Sequence, residues 1–259
     1  MMIQKEKEEM AEINDDIILS FLRRRHYKQL QPLAALIDMD GTLYDSMGNH
    51  ADAWHRLATE LGIESTREEF FLYEGRTGAS TLNILFNRAY GRDATAKEIE
   101  ELYARKALYF TQMPPVKPMP GAMQMLDFFK EVNMRRVLVT GSGQRSLIDR
   151  LERDFFGAFT PDMMVTSRDV KCGKPHPEPF IKAMEMARVR PSQSIAIENA
   201  PLGVKSASTA GAFTVAVTTG PIPREELEKA GAAIVFESMT QCAEMLPQLV
   251  LKMFNLAVE

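Results

Sequence analysis

Apolar and polar positions follow two rhythms along this chain, and the rhythm changes near residue 32. Upstream, Ile13, Ile17 and Phe21, with Ile18 or Leu22 beside them, recur at helical spacing. They predict an amphipathic helix ending in Arg23-Arg24-Arg25, lying on the surface with a solvated basic end. Leu33 to Met39 is then a compact apolar run of strand type. From 47 to 112 helical spacing returns, in HADAWHRLATELGI, STLNILFNRAYG and AKEIEELYARKALYFTQM, and MPPVKPMPG follows as a proline-rich hinge. Beyond it, short β-rich runs alternate with helical stretches. RRVLVTGSG, MMVTS, SIAIENA, FTVAVTTG and AAIVF read as strands; SLIDRLERDFF, EPFIKAMEMA and LGVKSASTAG read as helices between them.

That alternation predicts an α/β fold, a Rossmann-like parallel sheet with helices on both faces. The helical stretch breaks the rhythm after the first strand, where it reads as a small inserted cap. The expected organisation is a charged helical extension at 1–31, a core at 32–46 and 114–259, and a helical cap at 47–113.

In open parallel sheets, ligands collect at the carboxyl ends of the strands. Four strand ends here are polar: Asp38 and Asp40; Thr140-Gly141-Ser142; the loop with Lys174; and Glu198-Asn199. Strand alternation sends Asp38 and Asp40 to the same face, where two like charges repel. No Cys-His or Ser-His pairing with a supporting acid occurs in these segments, and no GxxxxGK[ST] phosphate loop occurs. A carboxylate nucleophile beside a second carboxyl suits phosphoryl transfer through an aspartyl-phosphate. Crowded carboxylates tolerate one another around a divalent cation, and an all-oxygen set suits Mg2+. A lysine and backbone N–H groups would neutralise the transferring phosphoryl oxygens.

The bulk numbers narrow the partners. The chain has 259 residues, 45% of them apolar and 25% charged, which suits an ordinary globular protein with room for a sizeable core. A net charge of only -4 gives no electrostatic case for nucleic acid or an anionic membrane. No apolar run approaches the ~20 residues of a membrane span. The charged start MMIQKEKEEMAEINDD lacks the apolar stretch of a secretory signal, so the expected location is cytoplasmic. Cys172 and Cys242 form no metal-type spacing and read as unpaired thiols in a reducing compartment. A monomer is the expected state.

From about Leu33 to the C-terminus the chain resembles the haloacid dehalogenase superfamily phosphohydrolases, in the branch with a small helical cap that includes β-phosphoglucomutase-like proteins. DMDGT, LVTGSG, GKPHPEPF and IENAPLGVKSA match the four family motifs in order. The resemblance implies Asp38 as nucleophile and Asp40 as general acid and base. It implies Asp38, the Asp40 carbonyl, Glu198 and Asn199 as Mg2+ ligands, directly or through water. Thr140, with the Gly141 and Ser142 amides, would hold phosphoryl oxygens, and Lys174 would pair with Asp38 and the phosphate. Asn199 departs from the pattern, which usually has Asp; it keeps a carbonyl ligand, removes a charge and implies weaker Mg2+ binding.

Caps of this family select the substrate, and the cap residues that stand out are His50, Trp54, Glu74 and Arg76. His50 follows the second aspartate by ten residues, as a histidine does in the mutase. Glu74 stands where the mutase has a basic residue, and would repel a sugar phosphate; reaching the centre, it leaves room only for a small leaving group. Arg76 is placed to contact a phosphate in a closed form. A cap Glu with an EN-type fourth motif resembles members of this branch that hydrolyse inorganic pyrophosphate, which implies pyrophosphate or another small phosphate as substrate, ahead of sugar-phosphate hydrolysis and of mutase activity on β-glucose 1-phosphate. The reading from another class is a catalytically weak protein that binds a phosphorylated metabolite. Trp54 reads as cap packing, His176 as a surface-loop residue, and Glu178 as a helix N-terminal carboxylate or an orienter of Lys174. Hinge movement is expected around 44–47 and 113–118.

Overall fold

The apolar run at 33–39 forms β1 (Ala34–Ile37), buried at all four residues. Ala35 and Ile37 enter one apolar cluster, Ala34 and Leu36 another. Both faces of this strand are covered, so its sequence is continuously apolar rather than alternating. The remaining strands are β2 (Tyr44–Asp45), β3 (Lys117–Pro118), β4 (Arg135–Val139), β5 (Met164–Val165), β6 (Ser194–Glu198), β7 (Phe213–Val217) and β8 (Ile234–Phe236). In the computed structural model, which describes residues 13–259, six of them form one sheet in the order β5-β4-β1-β6-β7-β8. Every pairing in it is parallel.

The helices are α1 (Asp15–Arg25), α2 (Met47–Glu60), α3 (Glu69–Leu72), α4 (Gly78–Tyr90), α5 (Ala96–Thr111), α6 (Ala122–Glu131), α7 (Arg145–Ile148), α8 (Leu151–Asp154), α9 (Glu178–Ala187), α10 (Pro201–Ala210), α11 (Arg224–Ala230) and α12 (Met239–Asn255). Phe21 of α1, Phe129 of α6 and Leu249 of α12 pack on the Ala35/Ile37 face. Phe180 and Met184 of α9 with Ala207 of α10 pack on the other.

The lead-in lies as an amphipathic helix with Arg23 and Arg24 exposed at its basic end, and its apolar stripe reaches deep into the core. Ile18, Phe21 and Leu22 are buried in the core, and the Phe21 ring meets Phe213 edge-on with centroids 4.9 Å apart. Burying Phe21 contributes roughly 1.5–3 kcal/mol. Arg25 at the basic end donates to the Ser208 hydroxyl at 2.9 Å and to the Ser208 carbonyl. Residues 13–31 therefore complete one face of the sheet; the first twelve residues of the expected extension lie outside the described part.

α2 to α5 intervene between β2 and β3, which pair antiparallel as Tyr44↔Pro118 and Asp45↔Lys117. The chain thus leaves and re-enters the core through two adjacent strands. SLIDRLERDFF, expected as one helix, splits into α7 and α8. Arg150 at the break donates to the Val116 carbonyl at 3.0 Å, and Asp154 accepts from the Tyr44 hydroxyl at 3.1 Å. Uninterrupted helix is exchanged for a brace on the two connecting segments. A capping box between Thr95 and Glu98 starts α5 and fixes the register of its inward stripe. Among the described residues no helix is long and apolar enough to cross a membrane.

Candidate active site

The floor is built by sheet backbone. The Asp38 N–H donates to the Ile197 carbonyl at 3.0 Å and the Thr140 N–H to Val165 at 2.9 Å, so both side chains stand at the carboxyl edge of the sheet. Glu198 closes β6, and one of its oxygens accepts from the Asn199 and Ala200 amides at 3.1 and 3.3 Å, where α10 begins. A Cβ on Gly203 would lie 1.9 Å from the other Glu198 oxygen, so only glycine lets that helix pass so close.

Lys174 Nζ reaches into this floor from the loop after β5. It donates to Asp38 at 2.5 Å, to Glu198 at 2.5 Å and to the Val139 carbonyl at 3.0 Å. Three acceptors use its three protons. Burial opposes the Lys174 charge, but Asp38 and Glu198 outweigh it and hold the ammonium above the usual lysine range. Burial pushes the Asp38 carboxyl well above the usual carboxylate range; Lys174 opposes, and Glu198 and Asp40 add to the push. The peptide bond between Lys174 and Pro175 is cis.

Asp40 is held from the helical insertion. One of its oxygens accepts from the Ser46 hydroxyl at 2.7 Å and contacts His50 Nε2 at 2.9 Å. His50 Nδ1 in turn lies 2.5 Å from Lys106 Nζ. Burial works against Asp40 ionisation, but His50, Ser46 and Lys106 outweigh it and keep its carboxyl below the usual range. Burial drives Lys106 down to about 7, with Asp40 opposing. Burial and the Lys106 charge also lower His50. His50 thus stands between Lys106 and Asp40, with one ring nitrogen facing each. His50, expected to bind substrate, lines the cavity with its ring nitrogens facing Asp40 and Lys106.

Sequence reasoning missed Lys106. The signal is a lysine in an apolar stripe: Leu102, Tyr109 and Phe110 are its neighbours at helical spacing on α5, and all are buried. Lys106 is 1% exposed, with Trp54, Tyr103 and Phe110 rings around its ammonium.

Glu74, between α3 and α4, is buried at the junction of insertion and sheet. Asn199 Nδ2 donates to it at 2.7 Å, while Asn199 Oδ1 faces the Thr42 hydroxyl at 3.4 Å. Gly41 makes room for this pair, since its φ is +84° and a Cβ there would lie 1.9 Å from Asn199 Nδ2. An amide at 199 thus meets a carboxylate that an aspartate would repel. Burial raises the Glu74 carboxyl well above the usual range; Asn199 opposes, and Asp38, Glu198 and Asp40 add to the rise.

Arg76 lines the same cavity, donates to the Ser80 hydroxyl at 3.1 Å and leaves its buried Nε without a partner. Gly141 lies directly under the Gly75 carbonyl, where an added Cβ would come to 2.1 Å. The Ser142 amide, expected to hold phosphoryl oxygen, donates instead to the Thr140 hydroxyl at 3.0 Å. Glu178 accepts from the Lys171 and Cys172 amides at 2.9 Å and so braces the Lys174 loop from outside. The cavity enclosed by these groups measures ≈ 50 Å³.

Four buried carboxylates, Asp38, Asp40, Glu74 and Glu198, line that cavity, and Lys174 is the cation in contact with Asp38 and Glu198. The elevated Asp38 and Glu74 carboxyls mark a deficit of positive charge in a set of hard oxygen donors. Those donors fit a divalent ion of the Mg2+ type better than a soft metal.

The model of the haloacid dehalogenase-like hydrolases matches residues 33–211. A validoxylamine A 7'-phosphate phosphatase of Streptomyces hygroscopicus is 30% identical over 187 residues, 71% of this chain and 85% of that protein. A phosphorylated carbohydrates phosphatase of Thermotoga maritima is 30% identical over 69% of this chain and 81% of its own length. A solved structure from Bacteroides vulgatus, provisionally assigned as a β-phosphoglucomutase, superposes with a TM-score of 0.88 at 41% identity. It covers 92% of this chain and 97% of its own.

Proposed function

Because the chain belongs to the haloacid dehalogenase-like hydrolase family, we propose that it is a Mg2+-dependent phosphohydrolase working through an aspartyl-phosphate on a small phosphate substrate, with inorganic pyrophosphate ranked above small phosphate monoesters. The observation that carries the substrate ranking is Glu74. Its carboxylate fills the side of the cavity facing Asp38, is anchored to Asn199, and leaves ≈ 50 Å³. A buried carboxylate on that side of a small polar cavity suits a phosphate leaving group better than a hexose.

In this reading Asp38 attacks phosphorus and the leaving oxygen takes a proton from Asp40, which its neighbours hold ionised at rest and which must first gain that proton from solvent or the incoming substrate. Asp40 then removes a proton from the water that hydrolyses the aspartyl-phosphate. The contacts from Ser46 and His50 fix the Asp40 rotamer, and Lys106 holds the far side of the His50 ring. Lys174 steadies Asp38 and offsets the phosphoryl charge. Held by Asp38, the Asp40 carbonyl, Glu198 and Asn199, Mg2+ would supply the remaining charge stabilisation. Thr140 and the Gly141 amide stand beside the site of transfer, and β2 and β3 are the segments about which the helical cap opens.

A second reading, hydrolysis of sugar phosphates, is favoured by the open Arg76 Nε, which suits a second anionic or hydroxyl-rich group, and by the activities named for the two phosphatase relatives. Mutase activity ranks third, because Glu74 stands where the mutase has a basic residue for the second phosphate of its sugar.

Glu74→Ala separates these readings. Pyrophosphate turnover should fall by about a hundredfold while phosphate monoester turnover holds or rises. An equal loss on every substrate would remove Glu74 as the selector.

A further inference from the structure

The Lys174 loop carries a second constellation on its outer side. Cys172, His176 and Glu178 each offer one ligand atom, and the three atoms lie within 4.8 Å of one another. Cys172 and Cys242 share no ligand spacing in the sequence; folding supplies Cys172 with a histidine and a carboxylate from the same turn. The turn is held shape-first. The His176 N–H donates to the Gly173 carbonyl at 3.0 Å, and the His176 carbonyl accepts from the Ser206 hydroxyl at 2.6 Å. Glu178 accepts from the Lys171 and Cys172 amides, which keep its carboxyl below the usual range and therefore ionised.

We propose that Cys172, His176 and Glu178 form a binding site for a thiophilic divalent cation of the Zn2+ type, chemically separate from the oxygen-rich centre on the other side of Lys174. Cysteine sulfur, histidine nitrogen and carboxylate oxygen are each zinc ligands, and three protein ligands leave a fourth position for water. Zinc bond lengths of ~2.0–2.3 Å place tetrahedral ligands roughly 3.3–3.7 Å apart. The ligand atoms, within 4.8 Å of one another, stand somewhat wider than that spacing, and Cys172 and His176 are exposed side chains with room to draw in.

Binding converts the Cys172 thiol to a metal-bound thiolate and releases its proton to solvent. A metal on His176 Nδ1 replaces the 3.2 Å hydrogen bond which that atom accepts from the Glu178 amide. Each carboxylate oxygen of Glu178 has a further lone pair beyond the one given to a backbone amide. Cys172 and His176 lie two residues before and two after Lys174, so an ion held between them ties down the segment that delivers its ammonium to Asp38.

The test titrates Co2+ into the full chain under a large excess of Mg2+ and follows absorbance. The expected result is a near-ultraviolet sulfur-to-cobalt band that saturates at one equivalent and is displaced by Zn2+. Cys172→Ser should abolish the band, His176→Ala should weaken cobalt affinity at least tenfold, and Cys242→Ser and Asp38→Asn should leave it intact. Circular dichroism of the variants checks that the fold survives. Absence of the band, its survival in Cys172→Ser, or undiminished affinity in His176→Ala overturns the site.

Discussion

Two groups of charged side chains meet in one cavity, and they are built on different parts of the chain. The floor group, Asp38, Lys174 and Glu198, stands on strand ends and the loop beside them, locked to sheet backbone. The roof group, His50, Glu74, Arg76 and Lys106, stands on helices and turns of the insertion. Asp40 and Asn199 tie it to the sheet through side-chain contacts at 2.9 and 2.7 Å. Rigid sheet geometry suits the phosphoryl chemistry proposed for the floor, which any substrate of the class would need. Two side-chain bridges suit the proposed selection by the roof, which must open, close and differ between substrates. The two groups should therefore fail differently when broken.

The largest effect should come from the floor. Asp38→Asn removes the proposed nucleophile, and phosphate release should drop by about a thousandfold or more on every substrate while the thermal transition persists. Retention of full activity would end the assignment.

Next comes the link between floor and roof. Lys106→Met should lower kcat roughly ten- to a hundredfold by leaving His50 and Asp40 without their cation. The same change should lower stability by about 3–5 kcal/mol, since it removes one member of a buried charge network and leaves the Asp40 carboxylate without its cation. A pH dependence goes with it. The folded state holds Lys106 near about 7, below its ordinary value, so between those two values the unfolded chain binds more protons. This residue therefore makes stability rise with pH from about 7 towards the ordinary lysine value, and Lys106→Met should flatten that rise in chemical denaturation. A variant that loses stability and keeps its activity would make Lys106 a packing residue.

A smaller and conditional effect belongs to the Glu74–Asn199 bridge. Asn199→Asp sets two carboxylates against each other and should destabilise the metal-free chain by about 1–3 kcal/mol. Saturating Mg2+ should restore most of that loss. Equal melting temperatures for the two proteins in chelator would show that the bridge carries little.

Of the floor, Lys174, in a loop, was legible in the sequence only through the GKPHPEPF motif; Asp38 and Glu198 were legible because each follows or ends an apolar run at a strand terminus, where the chain order of the sheet sends such side chains. The parallel sheet was legible for the same reason, through runs such as SIAIE and FTVAV that are buried on every residue. The roof was only partly legible. Glu74 stood out by its position, but its bond to Asn199 joins residues 125 apart, a pairing that no local pattern encodes. Lys106 looked like an ordinary helix lysine because helical periodicity shows a stripe without showing what the stripe faces. The lead-in helix was legible as amphipathic; its burial against Phe213 was not, because the surface it covers is made by strands much later in the chain. The break between α7 and α8 depends on Arg150 and Asp154 reaching Val116 and Tyr44, contacts that local helix propensity does not register.

The most direct test of a floor that performs phosphoryl transfer and a roof that admits only a small leaving group is a set of kcat/KM values with Mg2+. Pyrophosphate, β-glucose 1-phosphate, glucose 6-phosphate, phosphoglycolate and a chromogenic phosphate ester would be compared on the unaltered protein. The account predicts a value for pyrophosphate well above those of all the esters. Conversion of β-glucose 1-phosphate to glucose 6-phosphate without net phosphate release, at a kcat/KM exceeding that for pyrophosphate, would contradict it.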